Sequence, residues 1–133
     1  NAKNLAAVAF AISTICSKSN MSVDPTIWQN IEQNLLQTNT FGPREISGIT
    51  ASYARINRRA PKLFNHFACK AIPKLDAFRG EDLSVMLSSY AKLAHISPNL
   101  LDASSRIIIE KLGDFKDQEL PTMLWAFAKL RHR

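Results

Sequence analysis

Two cysteines among 133 residues, Cys16 and Cys69, are too few for a disulfide framework, and nothing in their use points to secretion. Four glycines and six prolines are also sparse, which excludes a collagenous chain and argues against a loop-rich sandwich. The glycines, Gly42, Gly48, Gly80 and Gly113, are scattered and form no phosphate-cradling loop. The three histidines, His66, His95 and His132, lack metalloprotease spacing and the cysteines lack a zinc pattern. Glu81-Asp82 is a carboxylate pair, but placement at a helix start accounts for it. No enzyme chemistry, metal or cofactor is expected. The longest apolar run covers residues 5–12, well short of the roughly 18 residues that would suggest a membrane span. No membrane partner is expected.

What the chain does have is apolar content and positive charge. At 46% hydrophobic residues it can bury a core. Its length fits one domain or one piece of an elongated array. The net charge of +6 and the pI near 9.6 favour polyanionic partners only weakly, because such an excess also serves solubility.

Internal repetition is the strongest signal. ISGITASYARI from Ile46, LSVMLSSYAKL from Leu83 and LPTMLWAFAKL from Leu120 follow one another at 37-residue spacing. LAAVAFAISTI from Leu5 is a looser copy, 41 residues before the second because the turn from Cys16 to Asp24 is longer. Pro61 and Pro98 keep the 37-residue spacing, as do Phe78 and Phe115, and Pro25 and Phe41 fill those roles in the first copy. Periods of 20–50 residues indicate stacked supersecondary units.

Each copy reads as two helices. Leu83, Met86, Leu87, Tyr90 and Leu93 make the 3.6-residue stripe of a first helix buried on one side. Ile46, Ile49, Tyr53 and Ile56 repeat it, as do Leu120, Met123, Leu124, Phe127 and Leu130. Glu45, Asp82 and Glu119 precede these stripes and complement the positive end of the helix dipole. The second helix opens at Pro25, Pro61 or Pro98, a residue suited to the first helical position, with Asp24 and Ser97 as capping side chains. Pro73 should kink or shorten the last turn of the second copy, and Gly113 should end the third copy's second helix as its C′ residue. The expected fold is therefore all-α: an α-solenoid of stacked helix-turn-helix repeats with a 37-residue period. It forms a single array over 1–133, with repeats at about 5–45, 46–82 and 83–119 and a partial one at 120–133.

The first residue is Asn, which implies a processed chain or a fragment. Lys3 and the apolar residues 5–15 have the general shape of a signal peptide, but the repeat register makes them a first helix. The fourth copy ends after its first helix, leaving an apolar face without its partner. The expectation is that the native chain continues past Arg133 or that another subunit covers this end.

These segments, the earlier ones each followed by a Pro-initiated helix, resemble the octotricopeptide and heptatricopeptide repeats of organellar proteins. The 37-residue spacing fits the heptatricopeptide form of apicomplexan parasites and related protists. Such repeats often accompany a RAP domain, none of which is visible here, and are similar to the helical part of FAST-kinase-like proteins. The resemblance implies an RNA-binding helical array in a mitochondrion, or alternatively a plastid. Its partners would be single-stranded or ribosomal RNA and other subunits of a ribonucleoprotein complex, in a mitochondrial ribosome or in transcript processing. The alternative is a protein-interaction scaffold in a large mitochondrial complex.

Equivalent positions in stacked repeats form columns. Arg55, Lys92 and Lys129 form one, with Thr14 in the first copy; Arg58, His95 and His132 form another. Cations spaced along an edge suit phosphate contact, although ordinary solvated charges would give the same pattern. The inner face of the first helices is expected to expose Gly48, Ala51, Ser52, Ser88 and Ser89. Ser52, Ser89 and Trp125 are placed to meet bases by hydrogen bonding or stacking. For Trp125 a helix–helix interface is the stronger expectation, and Phe10 and Phe127 are assigned to the core.

Overall fold

The computed structural model of the chain describes residues 2–19, 24–38 and 41–131. They are all-helical: α1 Ala2–Ser19, α2 Pro25–Gln37, α3 Pro43–Arg55, α4 Pro61–Ala71, α5 Gly80–Lys92, α6 Pro98–Glu110 and α7 Glu119–Arg131. Short 3-10 segments, Ile72–Ala77 and Leu112–Asp114, follow α4 and α6. No helix among the described residues is long and apolar enough to cross a membrane.

The prolines open their helices as the sequence predicts. Pro25, Pro61 and Pro98 each stand in the first turn, where a missing N–H leaves no hydrogen bond unmade. Asp24 caps α2 by accepting from the Thr26 N–H at 3.0 Å, and those hydrogen bonds hold its carboxyl below the usual range. Ser97 differs from expectation, since its side chain makes no cap bond. Pro73 ends α4 early, and Lys74 beyond it leaves helical geometry altogether (φ −125°, ψ 25°). Gly113 is not the C′ residue of α6. That helix stops at Glu110, Gly113 lies in the 3-10 turn that follows, and no described glycine has positive φ.

The odd-numbered helices pack side by side in the order α1, α3, α5, α7, and the even-numbered ones lie along them as a thinner second row. Contacts near like ends show that the odd-numbered helices run parallel. The Ser47 hydroxyl of α3 reaches Asp82 of α5 at 3.4 Å, and Arg55 of α3 donates to the Thr14 hydroxyl of α1 at 2.9 Å. Gly80 lets α5 approach the start of α7 closely, because a Cβ there would overlap Glu119 and Phe115.

The core lies between the rows. Ile46, Ile49, Leu83, Met86, Leu87 and Met123 meet Leu35, Leu63, Phe67, Leu100 and Ile108, all buried. Each such side chain contributes roughly 1.5–3 kcal/mol of transfer free energy. Aromatic rings link the pairs. Trp28 meets Tyr53 at 5.1 Å between centroids, Tyr53 meets Phe64 at 6.1 Å and Phe64 meets Tyr90 at 4.7 Å, the first two edge-on. Such pairs add about 0.5–1.5 kcal/mol each beyond area burial. The Tyr90 hydroxyl also donates to the Phe64 carbonyl.

Candidate nucleic-acid interface

The solvent face of the odd-numbered helices is built from positions spaced four, three and four residues apart, the interval that keeps side chains on one side of a helix. In α3 they are Arg44, Gly48, Ala51 and Arg55; in α5, Glu81, Val85, Ser88 and Lys92; in α7, Thr122, Trp125 and Lys129, with Gln118 just before its start. The offset of the first copy adds Lys3, Ala7, Phe10 and Thr14. None of these residues is buried. Apart from Phe10 and Trp125, the inner positions carry small side chains, with mostly longer polar or charged ones on either side, which gives this face the form of a shallow trough. Between α5 and α7 the trough opens into a groove of about 610 Å³ lined by Ser84, Val85, Ser88 and Thr122.

Arg55, Lys92 and Lys129 are all exposed and occupy one helical position in three parallel, adjacent helices, so they share a rim. Arg55 lies over the Phe10 ring, its guanidinium carbon 5.1 Å from the centroid, and Lys129 Nζ lies 5.1 Å from the Trp125 centroid. Lys92 has no hydrogen-bond or ion-pair partner among the described residues. Toward α7 the opposite rim carries Glu81, Asp117 and Glu119 together with Lys116, all bordering the groove. Glu119 accepts from the Lys116 N–H at 2.9 Å, as Glu45 accepts from the Gly42 N–H at 2.8 Å. These two carboxylates thereby close the starts of α7 and α3.

Other expected contacts are corrected. Ser52 and Ser89 are buried, and their hydroxyls donate to the Gly48 and Val85 carbonyls of their own helices at 3.0 and 2.7 Å. They cannot meet a base. The position in register with Trp125 is that of Ala51 and Ser88, one residue earlier. Trp125 is 46% exposed and is not a helix–helix contact; Phe10, at 54%, is not core. Phe127 is half-buried against the core, as expected.

The second column is not a row of cations. The Arg58 Nε pairs with Glu32 Oε2 at 2.8 Å, and its guanidinium also lies over the Trp28 ring. His95 is half-buried between the Phe64 and Tyr90 rings, its Nε2 2.9 Å from Asn65 Oδ1. Burial first, then the Arg59 charge, lowers its pKa, so the ring is neutral at pH 7. His132 lies outside the described residues.

Sequence reasoning missed Phe10, although the 41-residue offset already put it in register with Ala51. Its place in an apolar run hid it. Lys3 and Arg44 of the far rim were also missed, because their position does not stay cationic along the array: it becomes Glu81 and then Gln118. No protein-family model matches this chain, and no curated protein or solved structure does.

Proposed function

We propose that the chain is a segment of an RNA-binding α-solenoid of the octotricopeptide and heptatricopeptide kind, its helix pairs stacked with a 37-residue period. Its trough takes a single strand. Phosphates follow the rim of Arg55, Lys92 and Lys129, and bases turn inward over the small side chains to stack on Phe10 and Trp125. The observation that carries this proposal is an exposed aromatic beside a cation on the same face at two places, Phe10 of α1 with Arg55 of α3 and Trp125 with Lys129 of α7, with the unpaired Lys92 of α5 between them. Stacking is worth about 1–3 kcal/mol per base and tolerates any sequence. An arginine that already donates to Thr14 keeps donors for a phosphate, since a guanidinium carries five N–H groups.

The repeat motifs support placing this activity in a mitochondrion, or alternatively a plastid, on ribosomal RNA or on transcripts. The scaffold alternative draws on the exposed apolar ends of the array.

Titrating single-stranded RNA at several salt concentrations tests the proposal. Replacing Arg55, Lys92 and Lys129 with Ala should weaken binding and flatten the logarithmic salt slope by about 2, since each neutralised phosphate of a single strand accounts for roughly 0.7. Unchanged affinity and slope would remove this rim as the phosphate track.

A further inference from the structure

Repetition of the sequence predicts like surfaces between successive helices of the second row, and one of these surfaces departs from the pattern. Between α2 and α4 a groove of about 450 Å³ opens to solvent. The buried Leu63 and the half-buried Leu36 and Ala60 floor it, and the exposed Gln29, Gln33, Arg59 and Lys62 stand at its edges. Between α4 and α6 the four equivalent edge positions are Asn65, Cys69, Ile96 and Asn99, none of them a cation. Asn65 is moreover held by His95 at 2.9 Å. Stacking of the helix pairs therefore does not require the residues that edge the α2/α4 groove.

The groove carries unbalanced positive charge. Glu32 lines it, but its carboxylate already accepts from the Arg58 guanidinium at 2.8 Å and the Tyr53 hydroxyl at 3.1 Å. Arg59 and Lys62 have no hydrogen-bond or ion-pair partner among the described residues. An occupant that matches both the floor and the edge is an anion with an apolar part. Gln29 and Gln33 are likewise without a hydrogen-bond partner among the described residues. They lie one turn apart on α2, which places their Cβ atoms roughly 5–6 Å apart. Each primary amide offers both donors and an acceptor, the complement of a peptide group. In an extended chain, peptide groups on one edge recur every two residues, at roughly 6–7 Å. The two glutamines therefore match the backbone of an extended peptide.

We propose that the groove between α2 and α4 binds an extended acidic segment of a partner protein. Gln29 and Gln33 bond its backbone, Leu36, Ala60 and Leu63 take an apolar side chain, and Arg59 and Lys62 take its carboxylates. Charge complementarity selects this occupant over a neutral peptide. A polynucleotide fits less well, since its phosphates would meet the two cations but its bases would find no aromatic ring lining this groove. None of these residues belongs to the trough or its rims, so the proposal stands apart from the RNA reading.

Fluorescence anisotropy tests this with a labelled peptide, Leu-Glu-Leu-Glu-Leu blocked at both ends, against Leu-Gln-Leu-Gln-Leu as the uncharged control. The chain is titrated from about 1 μM to about 1 mM. The acidic peptide should bind saturably and the control more weakly. Arg59→Ala/Lys62→Ala should weaken the acidic peptide by about tenfold or more. Gln29→Ala/Gln33→Ala, which leaves the charge unchanged, should weaken it by roughly three- to tenfold. All four positions are exposed, and circular dichroism confirms folding. Arg55→Ala/Lys92→Ala removes the same charge from the distant rim and should change peptide affinity by less than about twofold. Absence of saturable binding, or equal affinity for the two peptides, would overturn the proposal. So would equal losses from the two charge-removing variants, the mark of attraction to the surface as a whole. A loss of single-stranded RNA affinity in Arg59→Ala/Lys62→Ala, with the peptide unaffected, would overturn it too and give the two cations to phosphates.

Discussion

Asn57 and Ala94 stand at equivalent positions beyond α3 and α5, and both hold a left-handed backbone, with φ 55° and 53°. Each completes the same closure of its helix. The Asn57 N–H bonds to the Ala54 carbonyl at 3.1 Å and the Arg58 N–H to the Tyr53 carbonyl at 2.9 Å. Ala94 with Ala91 and His95 with Tyr90 repeat this at 3.0 and 2.9 Å. This double bond pattern satisfies the last carbonyls of a helix and turns the chain sharply. It also aims Arg58 at Glu32 and His95 at Asn65, which is why those two side chains are structural.

Asparagine tolerates this backbone, whereas the Cβ of alanine is crowded there by roughly 1–2 kcal/mol. Ala94→Gly should therefore stabilise the chain by about 0.5–1 kcal/mol, after the added freedom of the unfolded glycine is discounted. Asn57→Ala should destabilise it by a similar amount. The midpoint of urea unfolding reads both, and a loss of stability in Ala94→Gly would refute the strain.

Tyr53 and Tyr90 are the chain's two tyrosines, and both phenols are pushed above their ordinary value of 10.0. Burial dominates in each; the Glu32 carboxylate adds to it at Tyr53 and the neighbouring Cys69 at Tyr90. Above about pH 10 the unfolded chain releases these protons while the folded chain keeps them, so unfolding becomes progressively easier as pH rises. The stability they confer is complete below that pH. An alkaline titration should show phenolate absorbance emerging together with loss of helical circular dichroism. Phenolate appearing in a chain that is still folded would contradict the burial.

The helices were legible because buried positions recur with the helical period, and the prolines mark helix starts through chemistry that is local. The column of Arg55, Lys92 and Lys129 was legible for the same reason. The orientation of neighbouring stripes was not. Ser52 and Ala51 are adjacent in sequence and both small, so polarity could not tell which is buried, and only the packing of α3 on α1 decides it. Ala94 gave no sign of its left-handed backbone, since alanine, unlike glycine or asparagine, does not favour it. The structural role of Arg58 was hidden because its partner Glu32 lies 26 residues away.

Ser104 in α6 is fully buried, and its hydroxyl is without a hydrogen-bond partner among the described residues. It stands where α4 has Phe67 and α2 has Ile31, an apolar position in both. A buried hydroxyl left unpaired costs roughly 1–3 kcal/mol relative to a hydrogen-bonded one. Ser104→Ala should accordingly raise stability by about 1 kcal/mol, with a further small gain from helix propensity. Thermal unfolding measures it, and a clear fall in Tm would mean that the hydroxyl has a partner.

Gly48 separates stability from binding. It lies inside α3 on the floor of the trough, it is exposed, and a Cβ built there would meet nothing within 4 Å. Packing does not require a glycine, yet a glycine inside a helix costs about 0.8–1 kcal/mol relative to alanine. Gly48→Ala should therefore stabilise the fold by up to that amount. Gly48→Leu should also fold, because leucine is a good helix former and the space is open, but its side chain would stand in the trough between Arg44 and Ala51. If a strand of RNA crosses this face, Gly48→Leu weakens its binding while leaving the helical content unchanged, and Gly48→Ala weakens it less. RNA affinity that ignores both substitutions would take the strand off the trough, whatever the rim of cations does.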